Sequence, residues 1–323
     1  MKKKAISQQM VVVAISVLLA IAFSVTLPSF LTALNLVALL QNVAILGILS
    51  LAMGMIVIGR GIDLSMVALL VVPSGLMLQL VHDGYSMWVA LAAAIAFAGF
   101  FGLLNGFLVA YIEISPLFTT LGTGIFIAGM GQALFFPLDV VPWVPAMNAI
   151  NWIGAEPIGP IPKPIVMFVL AALAMTFFLR KTRLGTYVYA IGDNPSAART
   201  TGIPTRPVIV FMYFFAALIA LFAGLVMAAA IHSMPTRIFN STMVYDVILI
   251  VIIGGIGMMG GRGRVSNVIT GTLLIAILLN GMTIMDVPYS AQNVVKGIVL
   301  LVALLFDTFL NPRNEDTAQQ GDV

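Results

Sequence analysis

The chain has 323 residues, of which 61% are hydrophobic and only 8% are charged. Soluble domains carry about 25% charged residues, so this composition excludes a soluble globular protein, and it excludes a disordered one because disorder requires low hydrophobicity. The chain contains no cysteine, which excludes a disulfide scaffold, and its net charge of +3 gives no indication of a nucleic-acid partner. We therefore expect an all-α integral membrane protein, because continuous apolar runs favour helices over a β-barrel.

Uncharged stretches predict about ten transmembrane helices within a single domain, residues 1–323. Residues 5–59 are long enough for the first two, with a break at Pro28. The first run could instead be a cleavable signal peptide, but it continues to Leu27 and exceeds the usual signal core of about 7 to 15 residues. The other eight helices are expected at 64–81, 84–112, 114–138, 164–179, 207–231, 243–258, 265–285 and 289–306. Residues 139–163, rich in proline, are expected to form an external loop.

The distribution of lysine and arginine predicts the orientation. With the amino terminus in the cytoplasm, 12 of the 15 lysine and arginine residues fall in cytoplasmic segments, as the positive-inside rule requires. Both termini are then cytoplasmic, with tails at 1–9 and 308–323 and a large cytoplasmic loop at 180–206. The 12 residues are Lys2, Lys3, Lys4, Arg60, Arg180, Lys181, Arg183, Arg199, Arg206, Arg262, Arg264 and Arg313.

A short polar sequence, Gly61-Ile62-Asp63-Leu64-Ser65, follows the second predicted helix. Gly59 and Gly61 favour a tight turn, and Asp63 has the side chain of a helix N-cap for the third helix. From residue types alone, a capped turn accounts for this sequence.

The loop at 180–206 contains a predicted short helix. Asn194 or Asp193 is the expected N-cap, Pro195 suits the first helical position, and Gly202 ends a helix at 196–201. A helix of two turns is marginal alone, so we expect a partner surface to hold it; the alternative is a solvated basic loop. The residues assigned to this element are Gly192, Asp193, Asn194, Pro195, Ala197, Ala198, Arg199 and Gly202.

A glycine-rich segment follows the eighth predicted helix and includes Gly254, Gly255, Gly260 and Gly261. It contains a formal G-x-G-x-x-G pattern, but a dinucleotide site requires a preceding strand, and here both flanks are membrane spans. We interpret the segment as a hinge between helices. The chain also lacks a nucleotide-binding P-loop sequence.

Two charged residues, Asp246 and Lys296, lie inside predicted spans at similar depth. Charge in a bilayer is costly and is usually paired or functional, so these residues are expected to form an ion pair; a substrate or ion relay is the alternative. No catalytic motif and no group of residues with metal-site spacing occurs, so we expect no metal, no cofactor and no enzymatic activity.

Taken together, these motifs resemble the ribose-type monosaccharide permeases of bacterial ABC importers. The resemblance covers about residues 28–307 and rests on three elements: the Gly61–Ser65 turn, the Asn194-Pro195 helix, and Ile253-Gly254-Gly255 followed by Gly260-Gly261-Arg262-Gly263. The sequence departs at Met66-Val67, where the family often has Val-Gly. Branched-chain amino-acid permeases share the architecture but usually lack the turn.

The resemblance implies a permease fold of the ribose and vitamin B12 importer type in the bacterial inner (plasma) membrane, surrounded by lipid. It implies a permease homodimer or heterodimer, a separate cytoplasmic ABC ATPase that docks on the helix after Asn194, and a periplasmic sugar-binding protein. The Gly61, Asp63 and Ser65 turn becomes a family signature. The alternatives are a branched-chain amino-acid permease and an ion-coupled secondary transporter, for which only Asp246 and Lys296 supply titratable groups within the spans.

Overall fold

The computed structural model describes residues 8–154 and 161–310, so most of the predicted terminal tails lies outside the described residues. Within these ranges the chain forms twelve α-helices and two short strands. The helices are α1 Gln8–Thr26, α2 Ala33–Ile58, α3 Met66–His82, α4 Met87–Ala110, α5 Pro116–Met130, α6 Lys163–Lys181, α7 Arg183–Asp193, α8 Pro195–Thr200, α9 Thr205–Ile231, α10 Met243–Ile253, α11 Val265–Ile284 and α12 Tyr289–Leu310. The strands are β1 Val140–Pro142 and β2 Ser233–Pro235.

Seven of these helices are long and apolar enough to cross a membrane: α1, α2, α4, α5 with the π-helical turn that extends it to Phe135, α6, α9 and α11. Shorter apolar helices are α3, α10 and the segment Tyr289–Leu305 of α12. Each of the ten predicted segments contains one of these helices, although the eighth, predicted at 243–258, ends at Ile253, and the predicted break at Pro28 lies between α1 and α2. Ten membrane crossings stay a prediction.

The centre of the bundle is built around α3 and α9. Thirteen of the 17 residues of α3 are buried, as expected of a helix that is apolar on all sides. The long helix α9 packs against α2, α3 and α4. A Cβ atom at Gly106 of α4 would lie 2.5 Å from the Cα of Val210, so this glycine allows α4 and α9 to approach closely.

The predicted external loop at 139–163 is described at 139–154 and 161–163, and this part has regular structure that the sequence analysis missed. Strand β1 pairs antiparallel with β2, with Val141 opposite Met234. The predicted all-α fold therefore also contains one two-stranded sheet. A 3₁₀ helix, Pro145–Ile153, follows β1. The two strands are separated by about 90 residues of chain, and short-range patterns carry no signal for so distant a pairing.

The loop at 180–206 is also more helical than predicted. Helix α6 continues to Lys181, and α7, which was not predicted, follows after a single residue, Thr182. The Thr182 side chain accepts a hydrogen bond of 3.0 Å from the Gly185 N–H and so caps α7. The segment is therefore two consecutive helices, α7 and α8, that connect α6 to α9.

Most lysine and arginine residues in the described part of the chain lie at one end of the bundle, called the cationic end below. It comprises the connections around α7 and α8, the end of α2 and the glycine-rich segment, whose Gly261 lies beside Asp193. Lys163 and Arg237 lie at the opposite end, where Arg237 forms a 2.6 Å ion pair with Asp139. Among the described residues, the structure thus separates these two groups, whereas Lys2, Lys3, Lys4 and Arg313 lie outside the described residues and the orientation in the membrane stays a prediction.

Candidate functional site

Residues 61–65, called the signature turn below, lie between α2 and α3 at the cationic end. Its backbone reverses direction tightly: Arg60 has a positive φ of 69°, and the Gly61 N–H donates to the Ile56 carbonyl oxygen at 2.9 Å. The hydroxyl of Tyr213 on α9 donates to the Ile62 carbonyl oxygen at 3.1 Å. A side chain at position 61 would meet this hydroxyl at 2.8 Å, so the close contact favours glycine here.

Asp63 lies at the centre of a buried hydrogen-bond network. One of its carboxylate oxygens accepts from the Ser65 N–H at 2.8 Å and from the Ser65 hydroxyl at 2.5 Å, and both residues are fully buried. The Ser65 hydroxyl accepts from the side-chain amide of Asn105 on α4 at 2.9 Å. The prediction that Asp63 caps α3 was wrong, because the N-cap residue is Ser65 and its side chain makes no cap bond. Asp63 instead orders the turn against α4.

The same turn is tied to α5 by its backbone. The Leu64 N–H donates to the hydroxyl oxygen of Thr120 at 2.9 Å. Sequence analysis did not single out Thr120 or Tyr213, because one threonine or tyrosine in an apolar helix carries no distinguishing pattern. The turn therefore contacts three helices besides the two that it joins, and these contacts with α4, α5 and α9 fix where α2 ends and α3 begins.

The glycine-rich segment between α10 and α11 packs against the ends of α2 and α7. The Gly261 N–H donates to the Ile58 carbonyl oxygen at 2.7 Å, and Gly260 and Gly261 have positive φ values of 76° and 70°. A Cβ atom at Gly192 would overlap that same carbonyl oxygen. We call Ile58, Gly192 and Gly261 the glycine junction. The role of this segment as a hinge, which was also assigned to Gly254 and Gly255, stays a prediction.

Helix α7 is also held to this segment by a side chain. The Tyr189 hydroxyl donates to the Gly263 carbonyl oxygen at 2.8 Å. Burial raises the pKa of this phenol, while Arg180 and Arg264 oppose the shift. Tyr189 therefore remains a protonated donor at physiological pH, and the bond persists.

Helix α8 confirms the predicted short helix, shifted by one residue. The Asn194 side chain accepts from the Ala197 N–H at 3.0 Å and caps it, Pro195 occupies the first position, and Gly202 follows with a φ of 84°. The Arg199 guanidinium donates to the Thr205 hydroxyl at 3.2 Å, which links α8 to the start of α9.

The two alanines of α8 have different surroundings. Ala197 is exposed, whereas Ala198 is only 4% exposed and packs within the chain. Sequence analysis assigned both alanines to a helix that a partner surface would hold, and it did not distinguish them. Ala198 faces inward because a six-residue helix lying on the bundle must turn one side toward it. The exposed side chains of this stretch are Asp193, Asn194, Ser196, Ala197, Arg199 and Thr200.

Asp246 and Lys296 form the predicted ion pair. The ammonium nitrogen of Lys296 lies 2.8 Å and 3.1 Å from the two carboxylate oxygens and donates to the Thr242 hydroxyl at 2.8 Å. The two side chains are only 8% and 12% exposed. The Thr242 hydroxyl is also bonded to the hydroxyl of Tyr289 and to Asn293 of α12. This network holds α12 against α10 near the end opposite α8.

Polar residues on other spans also pair between helices. Asn35 of α2 and Asn280 of α11 exchange two hydrogen bonds of 2.9 Å and 2.8 Å. Such amide pairs satisfy polar groups that would otherwise face hydrocarbon.

The chain is similar to known transport proteins. A family model described as "Branched-chain amino acid transport system / permease component" matches residues 35–304. The ribose import permease protein RbsC of Bacillus subtilis is 33% identical over 90% of this chain and 89% of its own length, and that of Escherichia coli K12 is 30% identical over 93% of each. The L-arabinose transport system permease protein AraH of Escherichia coli is 27% identical over 90% of this chain and 88% of its own. No solved structure matches the chain.

The family match covers the signature turn, the glycine junction, α8 and the ion pair, and the ribose permease relatives cover about nine-tenths of the chain. The long apolar helices make the protein a multi-pass membrane protein. It belongs to the permease-component family of branched-chain amino acid transport systems.

Proposed function

We propose that this chain is the permease subunit of an ATP-driven importer in the bacterial inner membrane and that it translocates a monosaccharide delivered by a periplasmic binding protein. About ten spans with both termini in the cytoplasm would place α8 on the cytoplasmic side. Its arrangement carries the proposal: α8 is capped, exposed on one side and fixed to two larger helices, which suits a contact that transmits movement from a cytoplasmic ABC ATPase.

The contacts around α8 offer a route for such movement. Asn194 is at once the C-cap of α7 and the N-cap of α8, and Arg199 links α8 to the start of α9 through Thr205. The end of α7 meets the end of α2 at the glycine junction, where Gly192 leaves no space for a side chain. A displacement of α8 would therefore reach α2, α9 and the glycine-rich segment through close-packed contacts rather than through a flexible loop.

A branched-chain amino acid is the second candidate substrate, and the description of the matching family favours it. Sugar is preferred because the ribose and arabinose permeases align over about nine-tenths of this chain. An ion-coupled transporter is less well supported, because Asp246 and Lys296 already neutralise each other.

The test is a Trp substitution on the exposed side of α8. Ala197→Trp adds bulk where an ATPase would dock without disturbing the chain's own core, so it should abolish uptake and remove the ATPase from the purified complex. Ala146→Trp, on the exposed side of the 3₁₀ helix at the opposite end, is the control and should retain the ATPase. Uptake is measured with labelled D-ribose, L-arabinose and L-leucine in vesicles that contain the ATPase and binding protein.

If Ala197→Trp keeps the ATPase and transports at the wild-type rate, α8 is not the coupling element. If the wild-type complex imports leucine and neither sugar, the branched-chain alternative is correct.

A further inference from the structure

The Asp246–Lys296 pair separates two cavities near the end of the bundle opposite α8. The larger has a volume of about 280 Å³ and lies between α2, α10, α11 and α12. The smaller, about 210 Å³, lies between α10 and α12. Both charged residues line both cavities, so the ion pair forms the wall between them. A purely structural pair would not require open space on either side of it.

The larger cavity is lined by both polar and aliphatic side chains, whereas the core of a transmembrane bundle needs only apolar ones. Its polar side chains besides the ion pair are Asn280, Gln292, Thr272, Thr283 and Tyr289. The rest of its lining is aliphatic and comes from α2, α10 and α11. Thr283 and Tyr289 are exposed, but the other five polar side chains are buried or half-buried. Polar groups inside a membrane are costly, and five such groups around one cavity point to a ligand or to water that they contact.

The polar groups retain hydrogen-bonding capacity. A carboxylate offers about four acceptor positions, and the bonds to Lys296 leave part of the capacity of Asp246 unused. Gln292 uses one N–H in its bond to the Val287 carbonyl oxygen and has a second N–H and an amide oxygen. The lining therefore offers both donors and acceptors.

The charge of the lining selects the class of ligand. Asp246 and Lys296 cancel, so an anion or cation entering the cavity would bring an uncompensated charge into an apolar region. A neutral ligand with hydroxyl groups on its edges and C–H groups on its faces matches both parts of the lining. The volume is at the lower limit of small-molecule sites, which suits one sugar ring.

We infer that this cavity is a subsite for one neutral monosaccharide on the translocation route, with Asp246, Asn280 and Gln292 as its polar contacts. The inference rests on the proposed function and adds where the sugar binds within this chain. Asp246 lies in the first turn of α10 and Lys296 about two turns into α12, so the subsite is near the side from which a periplasmic binding protein would deliver sugar.

The natural absence of cysteine allows a direct test by single-cysteine labelling. Thr283→Cys places a thiol in the cavity lining, and Met285→Cys places one just beyond α11 at a comparable level, on an exposed residue outside the lining. Each variant is assembled with the ATPase and binding protein in vesicles and treated with a membrane-impermeant methanethiosulfonate. Labelling rates are compared without sugar, with D-ribose or L-arabinose, and with L-leucine, and uptake is measured in parallel.

A sugar that the complex transports should slow labelling of Thr283→Cys about tenfold when present at about ten times its Kd, because only the unoccupied fraction reacts. Met285→Cys should react at the same rate with and without sugar. As a second measurement, Gln292→Leu should slow sugar uptake, while Gln79→Leu, a half-buried side chain of α3 outside the cavity lining, should not.

If Thr283→Cys is not labelled, or is labelled as fast with a transported sugar as without it, the subsite is refuted while the proposed function stands. If the complex imports L-leucine and neither sugar, the proposed function fails, and the inference fails with it.

Discussion

Replacing Lys296 by Met should destabilise the protein more than replacing Lys296 and Asp246 together. The single change leaves the carboxylate of Asp246 buried without the ammonium group that contacts both of its oxygens. The double variant, Asp246→Asn with Lys296→Met, removes both charges, so no uncompensated charge remains in the apolar surroundings.

The burial of the pair sets the expected magnitude. With side chains only 8% and 12% exposed, loss of one partner should cost about 3–5 kcal/mol, as for other buried pairs. At roughly 2 °C per kcal/mol for a chain of this size, the single variant should lose about 6–10 °C in Tm. The double variant should lose clearly less than the Lys296→Met variant alone.

The assay is thermal unfolding of the detergent-solubilised wild type, both single variants and the double variant. The control is the same cycle on Arg206 and Glu113, whose 2.9 Å ion pair is 47% and 60% exposed. That cycle should show a coupling of about 0–1 kcal/mol, because water screens an exposed pair. If the loss in the Asp246/Lys296 double variant equals the sum of the single losses, the two residues are not coupled and the reasoning is refuted.

Two further predictions concern glycine packing and ATP. Gly192→Ala should lower Tm and uptake, because the added Cβ would overlap the Ile58 carbonyl oxygen. Gly122→Ala in α5, which has open space around it, should be tolerated. Equal Tm values for the two variants would contradict the packing at the glycine junction. The purified chain alone should release no phosphate from ATP, because its sequence has no P-loop, and hydrolysis by a preparation free of other chains would overturn this expectation.

The sequence predicted the features that depend on local chemistry and on the membrane. Apolar runs placed the ten helices, Pro28 placed the break between α1 and α2, and Asn194 with Pro195 predicted α8. The Asp246–Lys296 pair followed from the cost of an unpaired charge in hydrocarbon. Each of these inferences needs only neighbouring residues or the bilayer as solvent.

Tertiary structure alone decided the contacts between distant segments. Ala197 and Ala198 are identical neighbours, and only the position of α8 on the bundle turns the second inward. Asp63 has the residue type of a cap, but Asn105, on another helix, binds Ser65 and completes a network around the turn. The contact of Gly192 with Ile58, and the cavities beside the ion pair, likewise depend on how whole helices pack, since no pattern within one segment encodes which surface another segment presents to it.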